Sequence, residues 1–221
     1  MKYLQNVFRE FGVAVKVLCA LALVASGPAF GQALEDSLRA ALEGDLVTVQ
    51  RLIDRGNSPD TSDADGNTLM MLAARGGHLK VIEYLLANKA SISKRNRVGD
   101  TALMAASLKG EIPVAGFLLI NGAEVNPPGW TPLHYAAFEG RALMADFLLS
   151  KGANKDAVAP NQFTPLMLAI RGGHLDAARA ILYADPDVSY RTPNGETALK
   201  LATVKGYEPM VQLLKRAGAK E

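Results

Sequence analysis

The chain has 221 residues, with 24 basic and 22 acidic side chains, three histidines and one cysteine. That length allows one or two domains, and so even a balance of charge gives no electrostatic footprint for nucleic acid. With a single thiol, stability has to come from packing.

In chain order, residues 1–31 read first as a secretory leader. Lys2, Arg9 and Lys16 precede an unbroken apolar run, Val17 to Ala25, which Gly27-Pro28 stops. Ala29-Phe30-Gly31 then offers small residues at signal-peptidase spacing, and the run falls short of the ~20 residues that span a bilayer. Cleavage is expected after Gly31, with Ala33 as the second site; an uncleaved anchor is the other reading of the same run. Removing the leader leaves 21 basic and 21 acidic residues and no cysteine. Cys19 follows Leu18 where a lipoprotein signal needs a small residue, so no lipid is expected there. The order of the leader suggests the periplasm, an oxidising compartment in which a cysteine-free chain cannot mispair.

Beyond the leader the sequence repeats. GNTLMMLAARGGHLKVIEYLL begins at Gly66 and GDTALMAASLKGEIPVAGFLL at Gly99. GWTPLHYAAFEGRALMADFLL, QFTPLMLAIRGGHLDAARAIL and GETALKLATVKGYEPMVQLLK follow from Gly129, Gln162 and Gly195. Their threonines, Thr68, Thr101, Thr131, Thr164 and Thr197, are spaced 33, 30, 33 and 33. A fixed period near 33 marks a solenoid.

Each unit predicts two short helices. Threonine caps the first, and Pro132 or Pro165 suits the first helical position. Gly77, Gly110, Gly140, Gly173 or Gly206 then ends that helix in a conformation cheap only for glycine. A second helix carries Leu85-Leu86, Leu118-Leu119, Leu148-Leu149 or Ile181-Leu182, and glycine often closes it, as at Gly56, Gly122, Gly152 and Gly218. The small residues Ala73, Ala106, Ala136, Ala169 and Ala202 let first helices of successive units approach closely. One unit could not bury its apolar face; a stack can.

The unit resembles the ankyrin repeat, with the pattern met best from Gly129 to Asn154. The expected fold is therefore all-α: an ankyrin-repeat solenoid of stacked helix-turn-helix units with short hairpin loops. The repeat domain occupies 32–221, as a cap (34–62), units 63–95, 96–126, 127–158 and 159–191, and a second cap (192–221). LEDSLRAALEGDLVTVQRLIDRGN, from Leu34 to Asn57, matches two helices without the Thr-Pro start. Six layers predict a rod of about 50–60 Å, better suited to surface recognition than to a pocket.

Departures from the pattern carry expectations of their own. Met71, Met104 and Met167 stand where the family usually has histidine. Lys89 and Asp185 take two helix-closing glycine sites, so those ends should be less stable. VNPPGW leaves only Pro127 and Pro128 before Gly129, which predicts a stunted or absent finger between the second and third threonine units.

Chemistry is hard to find in this pattern. The resemblance implies a structural, hydrogen-bonding role for His134. His78 and His174 come from different layers, and the methionine row, a conceivable copper stripe, also supplies one residue per layer. Neither converges as metal ligation requires. With no phosphate loop and no nucleophile beside a base, the chain reads as neither enzyme nor cofactor or metal protein.

Binding is expected on the concave surface that the resemblance implies. The residue before each threonine is Asn67, Asp100, Trp130, Phe163 or Glu196; the residue two before each mid-unit glycine is Arg75, Leu108, Phe138, Arg171 or Val204. The central layers should therefore present Trp130, Phe138, Phe163 and Leu108, with Arg75, Lys109, Glu139, Arg171 and Lys205 around them. An aromatic centre with a charged rim is the make-up of a protein-binding hot spot. The expected partner is another protein, of identity the sequence does not disclose, with no nucleic acid and no stable membrane anchor. The resemblance also brings a second role, a stabilising accessory to an exported enzyme such as a peroxide-defence catalase. Whether the chain pairs with itself through the aromatic patch stays open.

Overall fold

A computed structural model describes residues 32–220; the leader, its cleavage after Gly31 and Cys19 lie outside the described residues. The described chain is a row of helix pairs. Residues 32–43 form α1, which pairs with α2 (Leu46–Asp54). The following pairs are α3 (Leu69–Gly76) with α4 (Leu79–Ala87), α5 (Ala102–Lys109) with α6 (Ile112–Ile120), and α7 (Pro132–Phe138) with α8 (Ala142–Ser150). Then come α9 (Pro165–Gly172) with α10 (Leu175–Tyr183), and α11 (Ala198–Val204) with α12 (Glu208–Arg216). First helices pack on first helices along the stack, and the second helices form an outer row.

The threonines start the first helices for one physical reason. Each sits in extended backbone, and its hydroxyl accepts the N–H three residues on, from Met71, Met104, His134, Met167 or Lys200, at 3.1–3.4 Å. Such a cap is worth about 1 kcal/mol. Gly77, Gly110 and Gly173 then stop α3, α5 and α9 at φ 75–83°. Where the pattern lacks glycine the backbone keeps the same turn. Lys89 and Asp185 close the second helices at φ 67° and 54°, and Gln162 turns a finger at φ 68°. Left-handed backbone costs a residue with a Cβ about 1–2 kcal/mol, so three local strains are built in.

Between the layers lie the residues that the repeat places there. Ala73, Ala106, Ala136, Ala169 and Ala202 have no exposed surface, nor do Leu85, Leu118, Leu148, Ile181 and Leu214. Leu86, Leu119, Leu149 and Leu182 pack against this core only partly buried. A recurring side-chain tie also joins one layer to the next. Asp60, Asn126 and Asp156 accept the backbone N–H of Ser91, Asn154 and Asp187 at 2.7–2.9 Å.

Fingers between layers share a backbone bond across their base. Asp63, Asn96, Ala159 and Thr192 donate to the carbonyls of Asn67, Asp100, Phe163 and Glu196 at 2.9–3.1 Å. Among the described residues no such bond precedes Thr131. Three residues are missing there, and Pro127 and Pro128 have no N–H to give. Asn126 is held sideways instead, its amide donating to the Gly152 carbonyl at 2.8 Å.

Candidate interaction surface

The residues before each threonine and at the ends of the first helices lie along the solenoid's inner side, and two regions can be told apart. Toward the amino terminus, a cleft of about 150 Å³ opens between the Thr68 and Thr101 layers. Met71, Leu72, Met104 and Leu108 form its apolar floor, and Arg75 and Asp100 stand at its edge. Its finger side is knitted together: Asn96 donates to Asn67 at 2.8 Å, and Asn67 donates to Asp63 at 2.8 Å. Tyr135 closes the far end, with its hydroxyl donating to Asp100. Burial and the adjacent carboxylate hold that phenol above its usual range.

The second region is aromatic. Trp130, half-buried, packs its ring 5.8 Å from Tyr135 and edge-on to His134 at 5.6 Å. Phe138 is 52% exposed at the end of α7. Arg75, Lys109 and Arg171 are exposed, whereas Leu108 is half-buried against the cleft. Glu139 lies 3.9 Å from Arg141.

Phe163 departs from the expectation. It is only 8% exposed and belongs to the core, with the Arg171 guanidinium 5.5 Å from its ring centre. Its counterparts in the same repeat position, Asn67, Asp100, Trp130 and Glu196, are only half-buried. The outward aromatic face is therefore Trp130 and Phe138, with Arg171 above a buried ring. Tyr135 and Asp100 are the residues the composition of the patch did not single out. Tyr135 stands four residues after its threonine, in the row Leu72, Ala105, Tyr135, Leu168, Leu201, and is the sole hydroxyl in that row.

His134 is a clasp, with no exposed surface. Nδ1 accepts the Thr131 N–H at 3.1 Å and meets its hydroxyl at 2.8 Å. Nδ1 is therefore unprotonated, and Nε2–H donates to the carbonyls of Ala157 (3.1 Å) and Phe163 (3.3 Å). Burial pushes its pKa down to about 4, against a smaller upward pull from those carbonyls. Met71 and Met104 perform half of this role: each sulfur accepts the N–H of its threonine, at 3.4 and 3.3 Å. His78 and His174 tie layers together, Nε2 lying 2.8 Å from the Leu42 carbonyl and 3.0 Å from that of Phe138. Arg141 does the same to Leu108 at 3.2 Å. Gly76 and Gly172 make room for the two rings, since a Cβ on either would come within 2.4 Å of imidazole.

Among the described residues no group of three or more His, Cys, Asp or Glu side chains is placed to hold a metal, and no helix is long and apolar enough to cross a membrane.

The family model for ankyrin repeats (3 copies) matches four overlapping stretches, residues 38–128, 99–159, 120–192 and 155–220. Among curated proteins, the chain is 33% identical over 98 residues to human transient receptor potential cation channel subfamily A member 1, covering 44% of this chain and 9% of that protein. It is 35% identical over 92 residues to an ankyrin repeat-containing protein of Treponema pallidum, covering 41% of this chain and 31% of that one. The matches thus span less than a third of these relatives. Among solved structures it resembles the human ASB11 ankyrin repeat domain, with a TM-score of 0.77, 25% identity, and coverage of 83% and 84% of the two chains.

Proposed function

Because this chain belongs to the ankyrin repeat family, we infer that it is a non-catalytic module that binds a protein partner in the periplasm through its concave face. Ankyrin repeats generally mediate protein–protein interaction. The observation that carries the choice of face is the half-exposed Phe138 beside the Trp130–Tyr135 pair, next to an apolar cleft edged by Arg75 and Asp100. Covering a phenylalanine completes about 1.5–3 kcal/mol of burial, so a few such rings dominate a modest interface. Lys109, Arg75 and Arg171 outnumber Glu139 around it, which favours an apolar segment with acidic neighbours. The leader's order supports export, and Edman sequencing of the protein released by osmotic shock should begin at Gln32.

The binding test is crosslinked capture from the exported fraction with the wild type and a Trp130→Ala, Phe138→Ala variant. Phe163 is left intact because removing a core ring would confuse unfolding with lost binding. Loss of a captured protein in the variant supports the concave face. Retention places the contact elsewhere on the solenoid.

A further inference from the structure

The outer row of helices carries a second surface. Positions 12, 15 and 19 after each threonine point outward on α4, α6, α8 and α10, forming one stripe per helix at helical spacing. On the two central helices this stripe is Pro113, Gly116 and Ile120 on α6, and Leu143, Asp146 and Ser150 on α8, apolar apart from one carboxylate and one hydroxyl. α6 (Ile112–Ile120) contains no charged residue, and Ile120 is 87% exposed. On α8, Leu143 is 75% exposed, and Phe147 leans toward α6, its ring edge 3.6 Å from where a Cβ on Gly116 would stand. Large exposed apolar side chains on neighbouring helices of one face mark a contact site.

The flanks say what fits it. Twelve residues after the threonine, the row across the stack reads Lys80, Pro113, Leu143, Asp176, all exposed; fifteen after, it reads Glu83, Gly116, Asp146, Arg179. Charge sign inverts about the midline between α6 and α8 in both flanking pairs. A two-fold axis along that midline, parallel to the helices, brings Lys80 opposite Asp176 of a second copy and Glu83 opposite Arg179. The same rotation sets Pro113 against Leu143, Ile120 against Ser150, and the small Ala87 against Tyr183, which is 88% exposed. Asp146 falls opposite Gly116, which carries no side chain. Small residues meet large ones, and opposite charges rim a centre in which Asp146 is the one charged stripe residue, a self-complementary pattern of the isologous kind.

We propose that the occupant of this outer face is a second copy of the same chain, giving a back-to-back dimer that leaves both concave faces free. This is independent of the partner read from the concave face. Sedimentation velocity on the purified chain over about 1–100 μM should show a reversible dimer. Ile120→Glu and Leu143→Glu, at exposed positions, should each give a monomer with unchanged helical circular dichroism. Lys80→Glu alone, or Asp176→Lys alone, should weaken dimerisation about tenfold, and the double reversal should restore it, because each pair occurs twice across the axis. A monomer at every concentration overturns the proposal. So does a dimer indifferent to Leu143→Glu, one broken instead by Trp130→Ala with Phe138→Ala, or a double reversal that fails to recover.

Discussion

The layer that begins at Thr131 and the two before it solve one problem with different atoms. In each, the threonine N–H at the start of the first helix is buried and needs an acceptor. Met71 and Met104 offer sulfur at 3.4 and 3.3 Å, while His134 offers Nδ1 at 3.1 Å and a second nitrogen that reaches the next finger. Sulfur is the weaker acceptor and cannot ionise. The histidine layer also lacks the backbone bond that closes its own finger. The comparison suggests that a stronger clasp offsets a shortened connection, and that it brings a sensitivity to acid which methionine layers do not have.

The largest expected effect comes from removing the clasp. His134→Ala leaves the Thr131 N–H without its acceptor, the Ala157 and Phe163 carbonyls without their donor, and a cavity beside Trp130. It should cost about 3–5 kcal/mol in urea unfolding. His134→Met, which copies the neighbouring layers, should lose only about 1–2 kcal/mol, because the sulfur still receives the threonine N–H. If both variants lose equally, sulfur is no substitute and the equivalence of the layers fails.

Acid should separate the layers next. The folded pKa of His134, about 4, lies below the ordinary 6.5, so the unfolded chain binds this proton first. Its contribution to stability is complete above pH 6.5, falls as pH drops from 6.5 to 4, and is level below that, a loss of about 3 kcal/mol. Unfolding free energies between pH 7 and pH 4 should show this slope in the wild type, and His134→Met should remove it. A slope that survives the substitution would assign acid sensitivity to other groups.

The smallest effect sharpens a second contrast, between layers closed by glycine and those that are not. Gly122 and Gly152 close α6 and α8 at φ 94° and 84°, whereas Lys89 and Asp185 hold the same turn with a side chain attached. Lys89→Gly and Asp185→Gly should each stabilise the fold by up to about 1 kcal/mol, the relief of left-handed strain less the entropy that glycine adds to the unfolded chain. Gly122→Lys should destabilise by a similar amount. Thermal midpoints that do not move in either direction would mean that these turns relax without strain.

Much of this was legible in the residues themselves. A hydroxyl every 33 positions, a glycine nine residues later and alanine between them are local requirements of caps, turns and close approach, so they locate helices and layers before any packing is known. The missing residues before Thr131 likewise predict a connection too short to form its finger. Phe163 shows the limit. It occupies the same repeat position as Trp130, yet it is buried, because its ring packs into the core between layers with Arg171 lying across it. Gln162 is similar: nothing in glutamine favours positive φ, yet at 68° it keeps the turn that Gly66, Gly99, Gly129 and Gly195 make in the same repeat position.

Periodicity by itself determined that this protein is a stack, where each helix starts, and which small residues lie between the layers, since all three follow from interactions within one unit and its copy. What the tertiary structure decided is which members of a repeated row face water, that Tyr135 joins Asp100 across a layer, and that Met71 and Met104 stand in for an imidazole. Those depend on side chains that meet from different layers. Their pairing is set by the registry of the whole stack, which no single repeat encodes.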